Sequence, residues 1–451
     1  LHVDNAGKIA TTENGAAQCS GSKAVTTCTS GKWSAVTACP TKTPACHQGK
    51  CLLCQPGAKT CDPANPADVV QCDATGSKVT KLKTCASGKC VGAGLCVQKG
   101  VLTVSDTTNA ITASAAAEIG TGGFVAAWIS TEAFGATVKA RAFDGEGKAV
   151  AKSFDVSDGN SYGSNGGNVA IANNKDRYAV AWVSGDNAEV KVIGTADHKA
   201  IGNSSLTFDG TSDATLAAIA PHGEGFVVAW SAGASGSSDK GIYFGRVDKA
   251  GKLIGKVVSV GNDLQDRADT APAIAALGNG GFVIVHVSTA SFSGGDAKLI
   301  GRVYDKDGKL VGKQVELSTK VIASARPSAA VSGSSIFVAW SAAGTGVDVM
   351  YGSWDGALKA QKSEAIAHNT STGTQNRPML SVGPTGGLLL AFGATDLGTS
   401  TGVDVGVRKM SAAGVFDGNE ELGGGDGKNL QDQAAVIAFS DSRELVLWRH
   451  R

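Results

Sequence analysis

Apolar residues recur along this chain in short runs set between Gly-, Asn- or Ser-rich turns, and the clearest run occurs seven times. The copies are GGFVAAW (Gly122 to Trp128), DRYAVAW (Asp176 to Trp182), EGFVVAW (Glu224 to Trp230), GGFVIVH (Gly280 to His286), SSIFVAW (Ser334 to Trp340), GGLLLAF (Gly386 to Phe392) and SRELVLW (Ser442 to Trp448). Their last residues lie 54, 48, 56, 54, 52 and 56 positions apart. A recurring period of that length marks a repeat architecture. In the third copy DATLAAIAP, GFVVAWSAG, GIYFGRVDKAG and KLIGKVVSVG follow one another with turns between them. They read as four short strands of an antiparallel meander. No long 3.6-residue period competes with this reading.

Four strands per repeat predict a propeller blade, and a lone blade with two exposed faces must stack on others. The expected fold is all-β: a seven-bladed β-propeller of four-stranded antiparallel blades over residues 99–451. The seventh copy retains only AAVIAF (Ala434 to Phe439) and ELVLWRH (Glu444 to His450). VLTVSD (Val101 to Asp106) resembles the outer strand VVSVGND and is expected to close the ring as the fourth strand of the last blade. LHVDNAGKIA, at the start of the chain, resembles GRVDKAGKLI and is a candidate for its third strand, in this molecule or a neighbouring one.

The eleven cysteines change the picture of the first hundred residues. Cys19, Cys28, Cys39, Cys46, Cys51, Cys54, Cys61, Cys72, Cys85, Cys90 and Cys96 all precede the propeller. They form two copies of one pattern, in which Cys19, Cys28, Cys39, Cys46 and Cys51 match Cys61, Cys72, Cys85, Cys90 and Cys96. Cys54 belongs to the second copy and has no counterpart in the first. The reading is a five-cysteine module over 1–52 and a six-cysteine module over 53–98, with one thiol, placed in the first, unpaired or bonded to another chain. A zinc site at CLLC (Cys51 to Cys54) is the alternative, but zinc ribbons need two such pairs. Small modules cannot build a sufficient core, and disulfides supply the missing constraint in oxidising compartments. The expected location is therefore extracellular or on the outer cell surface.

Charge and motifs narrow the function classes. Formal net charge is +1, from 41 basic and 40 acidic residues, which argues against an electrostatic grip on nucleic acid, since that needs a concentrated basic patch. The longest apolar runs fall well short of the roughly 20 residues that span a bilayer. The chain starts at Leu1, as after removal of a leader or in a fragment. HExxH, Walker and dinucleotide motifs are absent, so no cofactor is expected and no catalytic residue is assigned. Asp305 and Asp307 in DKDG give a weak calcium candidate lacking the rest of a twelve-residue loop. The strand-ending residues Trp128, Trp182, Trp230, His286, Trp340, Phe392 and Trp448 read as packing between blades, with a ring of ligand-stacking aromatics as the alternative. The polar loops after the second strands form a face suited to a sugar or a protein edge.

The string GFVVAWSAGASGSSDKGIYFGRVDKAGKLIGKVVSVGNDLQD resembles a repeat of large secreted and surface proteins of Gram-negative bacteria. The cysteine modules resemble those of secreted proteins and lipoproteins of myxobacteria. The resemblance implies a propeller and carries no functional residues with it. The leading expectation is a non-enzymatic adhesion or assembly protein, with self-association through the N-terminal segment or the orphan cysteine. A glycan-binding propeller is the alternative, with a glycan or surface protein as partner, and a propeller hydrolase or lyase is the third.

Overall fold

In the second strand of each copy, successive side chains point to opposite faces, and both faces are apolar. Phe124 and Ala126 pack to one side while Val125, Ala127 and Ile129 pack to the other. A strand apolar on both faces is stable only when sandwiched between two layers. A computed structural model shows this arrangement. It describes residues 2–450 other than 4–8, 11–16, 21–22, 30–31, 86–89, 92–94, 97–101, 108, 121, 133–134, 159–167, 235–239, 262–266, 291–295, 345, 370–372, 396–402 and 423–430. Among the described residues every regular element is a strand. The chain divides into two compact units, Leu1–Lys99 and Gly100–Arg451.

Among the described residues the second unit holds six four-stranded antiparallel sheets, each with its strands in chain order, followed by a two-stranded seventh. The first strands are Ile111–Ile119, Val169–Asn174, Thr211–His222, Arg267–Ala276, Ser328–Ser332, Gln375–Val382 and Gln431–Ala438. The apolar clusters show how the sheets are joined. Val125 and Ala127 of the first sheet meet Tyr178 and Trp182 of the second. Ala179 and Val190 of the second meet Phe226 and Trp230 of the third. Phe244 of the third meets Phe282 and Ile284 of the fourth, and Val285 and Leu299 of the fourth meet Trp340 of the fifth. Phe337 of the fifth meets Phe392 of the sixth, and Leu389 of the sixth meets Val436 and Trp448 of the seventh. Ile437 and Phe439 of the seventh then meet Phe124 of the first. The succession closes on itself, as in a β-propeller.

Trp230, Trp340 and Phe392 are fully buried, Trp128 and Trp182 nearly so, and Trp448 is half-buried. The Trp340 indole N–H also donates to the Lys320 carbonyl at 2.7 Å, which pins the segment entering the fifth sheet.

The strand pairing expected of 101–106 is not seen among the described residues. Residues 102–107 have no ladder partner. Leu102 and Val104 instead pack on the cluster that joins the seventh sheet to the first, and Arg141 donates to the Val104 carbonyl. Among the described residues the seventh sheet consists of Gln431–Ala438 and Glu444–His450 alone.

The first unit repeats its own plan. Lys59–Cys61, Asp68–Cys72 and Val79–Thr84 form a three-stranded sheet, and Cys90–Val91 with Leu95–Cys96 a hairpin. The first copy has the corresponding strands Ala17–Cys19, Ala24–Thr29 and Thr37–Ala38 and the hairpin Ala45–His47 with Lys50–Leu52. The bonds follow the same plan: Cys19–Cys46 in the first copy answers Cys61–Cys90 in the second. Cys39–Cys51 and Cys54–Cys72 complete the described bridges, so the two cysteines of CLLC belong to separate disulfides. Cys85 is disulfide-bonded too; the side chains of Cys28 and Cys96 lie outside the described residues. His2–Val3 pairs with Ile9–Ala10 in a hairpin of its own.

Candidate functional site

The first strands are built from the smallest apolar residues: ASAAAE, AIA, LAAIA, AIAA, SAAV and AAVIA. Small side chains leave the axis open. The first strands line a channel of about 650 Å³, within the roughly 300–1,000 Å³ usual for ligand sites. Its wall is apolar over most of its length, with polar groups gathered at the two ends.

At one end stand Arg326 and Arg377, from the fifth and sixth sheets. Each precedes a proline, Pro327 and Pro378, and Pro272 holds the same register in the fourth sheet. Here the first strand bulges, between Thr270 and Ala273 in the fourth sheet and between Asn376 and Met379 in the sixth. The bulge forces non-glycine residues into left-handed backbone, Ala271 at φ 52° and Arg377 at φ 51°, which costs of order 1–3 kcal/mol. Neighbouring sheets hold the bulge in place. The Arg377 N–H donates to Ser341 Oγ at 3.3 Å, and the Leu380 N–H to Ser328 Oγ at 3.0 Å. The Ile322 N–H, donating to the Ser341 carbonyl, fixes the turn that leads to Arg326. Burial first, and the neighbouring Arg377 charge second, push Arg326 below the usual arginine range. Among the described residues no carboxylate pairs with either guanidinium.

At the other end Glu118 is the only carboxylate among the described channel residues. It is engaged by the N–H and hydroxyl of Ser440 at 2.9 and 2.5 Å. Hydrolysis of a glycosidic bond by paired carboxylates needs two such groups, roughly 5–10 Å apart. The described channel wall does not bring a second one to Glu118.

The residues singled out in the sequence lie elsewhere. The Asp305 carboxylate accepts the N–H groups of Asp307 and Lys309, and Asp307 pairs with Lys306 Nζ at 2.9 Å. Asp144, Asp248 and Asp355 accept the same pair of N–H groups in the equivalent hairpins, so DKDG is one copy of a repeated turn. Among the described residues no three His, Cys, Asp or Glu side chains gather at metal-binding spacing. His286, buried where other copies place an aromatic ring, sets Nε2 3.6 Å from the buried carboxylate of Asp269. The loops after the second strands fall in large part outside the described residues. Arg326 and Arg377 went unnoticed in the sequence. The signal for them was the Xaa-Pro dipeptide repeated in one register of consecutive copies, twice with arginine.

No family model and no curated protein matches the chain. Among solved structures it is similar to an α-L-arabinanase of Penicillium chrysogenum in complex with arabinobiose, at 14% identity over 69% of this chain and 97% of that one, TM-score 0.44. It is also similar to the GH93 α-L-arabinofuranosidase of Fusarium graminearum in complex with arabinobiose, at 14% identity over 65% and 91%, TM-score 0.43. A third is the GH43 endo-arabinanase from Bacillus licheniformis, at 12% identity over 55% and 96%, TM-score 0.33. These likenesses correct two expectations. These three solved chains are arabinan-degrading enzymes, so the non-enzymatic adhesion or assembly reading is set aside, and with it the expectation that the chain is no enzyme. At such scores they assign no role to any residue here.

Proposed function

We propose that the propeller binds carbohydrate at the arginine end of its axial channel, in a secreted or outer-surface protein. The observation that carries this reading is the channel itself. It is roomy enough for a sugar and apolar along most of its wall, and two of its polar groups, Arg326 and Arg377, stand together at a mouth held by bonds between sheets. Alanine and proline facets suit the C–H faces of a pyranose or furanose ring, and the mouth supplies donors for its oxygens. Four described disulfides support an oxidising compartment. The resemblance of the repeat and of the cysteine modules to those of secreted bacterial proteins supports the same location.

The test is a glycan array followed by footprinting. Met379 lines the mouth and is 38% exposed, whereas Met350 and Met410, the other methionines, are buried. A bound glycan should protect Met379 alone from hydroxyl-radical oxidation. Absence of binding to every glycan on the array, or binding that leaves Met379 unprotected, rejects the site.

A further inference from the structure

Two guanidinium groups on adjacent sheets share one mouth, close enough for each charge to act on the other. Like charges brought together destabilise the free protein unless something anionic joins them. Elsewhere in the propeller, cations at sheet boundaries are spent on the protein itself. Arg177 donates to the Lys249 carbonyl, Arg246 to the Lys306 carbonyl and Lys362 to the Gly414 carbonyl. Arg267 is held by the Asp296 carboxylate and the Ser288 hydroxyl. Arg326 and Arg377 differ, since among the described residues their side chains have neither a carboxylate nor a carbonyl. Arg377 is moreover carried on a left-handed residue that its neighbours hold in place, and such strain persists where the surrounding structure over-determines it.

Resting on the carbohydrate reading above, we infer that the ligand is an acidic sugar whose carboxylate is taken by Arg326 and Arg377 together. Guanidinium is the side chain suited to this task. Its planar fork matches a carboxylate with two parallel N–H···O bonds, and it stays charged when half-buried. Two forks from different sheets can clasp one carboxylate from both sides. The apolar wall below them, with Pro327, Pro378 and Met379, then receives the ring to which that carboxylate is attached.

The experiment measures binding of the full chain to oligogalacturonate and to neutral arabinan and galactan oligomers of equal length, with dextran sulfate as a probe of mere charge. Wild type, Arg326→Ala, Arg377→Ala and Arg377→Lys are compared, each checked for an unchanged melting temperature. The inference expects oligogalacturonate to bind best. Each alanine variant should weaken it roughly ten- to hundredfold, the usual worth of a charged hydrogen bond. Lys should restore it only in part, since an ammonium lacks the fork. Neutral oligomers binding as well as acidic ones, with Met379 protected, would overturn the acidic-sugar inference and leave the carbohydrate reading standing. Dextran sulfate matching oligogalacturonate, or acidic binding that survives both alanine changes, would also overturn it. If no oligomer binds at all, the carbohydrate reading itself fails.

Discussion

Arg377 concentrates a conflict between stability and use in a single residue. Its φ of 51° lies where a Cβ is crowded and glycine is at ease. Its side chain is exposed and does nothing for the fold among the described residues. Replacing it with glycine should therefore relieve strain, and Arg377→Gly should melt at the same temperature or up to a few degrees higher, a gain of about 1 kcal/mol at most. The same variant should lose acidic-glycan binding. A lower melting temperature would show that the side chain supports the structure. The cysteines allow a second prediction at this scale. Cys19–Cys46 and Cys61–Cys90 occupy matching places, so Cys39–Cys51 should be matched by Cys85–Cys96. Cys72, bridged to Cys54, corresponds to Cys28, and Cys54 has no counterpart in the first copy. Non-reducing peptide mapping should recover Cys85 joined to Cys96, with Cys28 alkylated by iodoacetamide or linked to another chain. A Cys28–Cys85 peptide would contradict the equivalence of the modules.

At the scale of the element, the hairpin between third and fourth strands repeats one design in the first, third, fourth and fifth sheets. An aspartate accepts two N–H groups and a residue with positive φ turns the chain, Gly147, Gly251, Gly308 and, in the fifth sheet, Leu358. In four boundaries a cation of one sheet caps a carbonyl of the next sheet's turn: Arg177 on Lys249, Arg246 on Lys306, Lys362 on Gly414 and Arg443 on Gly145. Closeness of neighbouring sheets adds a second demand on glycine. A Cβ on Gly251 would stand 2.8 Å from the Gly202 carbonyl carbon, whereas one on Gly255, also left-handed, would meet nothing within 4 Å. Gly255→Ala should cost about 1 kcal/mol, the backbone penalty alone. Gly251→Ala should cost clearly more, because the second sheet must move from the third. Equal losses in urea unfolding would show that the sheets are not held that closely. Such repetition is why the fold was legible in the sequence. Each copy shows its second strand as a run apolar on both faces, and four of the turns combine Gly with Asp. The mouth was not legible in that way. Its arginines interrupt no pattern, and their meaning lies in the proximity of Arg326 to Arg377, one repeat apart in sequence and adjacent only once the ring has formed. The open channel was equally hidden, because alanine in a strand reads as packing until the seven first strands, six of them carrying alanine, share an axis.

For the molecule as a whole, the decisive joint is the one between the seventh sheet and the first. Every other boundary is spanned by continuous chain, whereas this one joins residues 322 positions apart. It rests on a short list of contacts. Apolar packing sets Ile437 and Phe439 against Phe124 and Phe143. Ser440 binds Glu118 through its N–H and hydroxyl. Arg443, paired with Asp441 at 2.9 Å and lying over the Phe439 ring, donates to the Gly122 and Gly145 carbonyls. Arg443→Ala removes both donors and leaves Asp441 half-buried without its cation, a loss of roughly 2–4 kcal/mol. Arg246→Ala, which frees one turn carbonyl between sheets already linked by chain, should lose only about 1 kcal/mol. The two variants should also differ in kind. Opening the ring joint exposes a two-stranded edge without unfolding the other sheets, and rejoining it must again meet the entropy of closing a long loop. Urea unfolding of Arg443→Ala should therefore lose cooperativity, with amide exchange accelerated first in Glu444–His450 and Ile111–Ile119. Arg246→Ala should keep one cooperative transition at a slightly lower midpoint. If Arg443→Ala instead unfolds in a single step as steep as wild type, the joint is no weaker than the others, and the apolar wedge of Phe124, Ile437 and Phe439 suffices to close the ring.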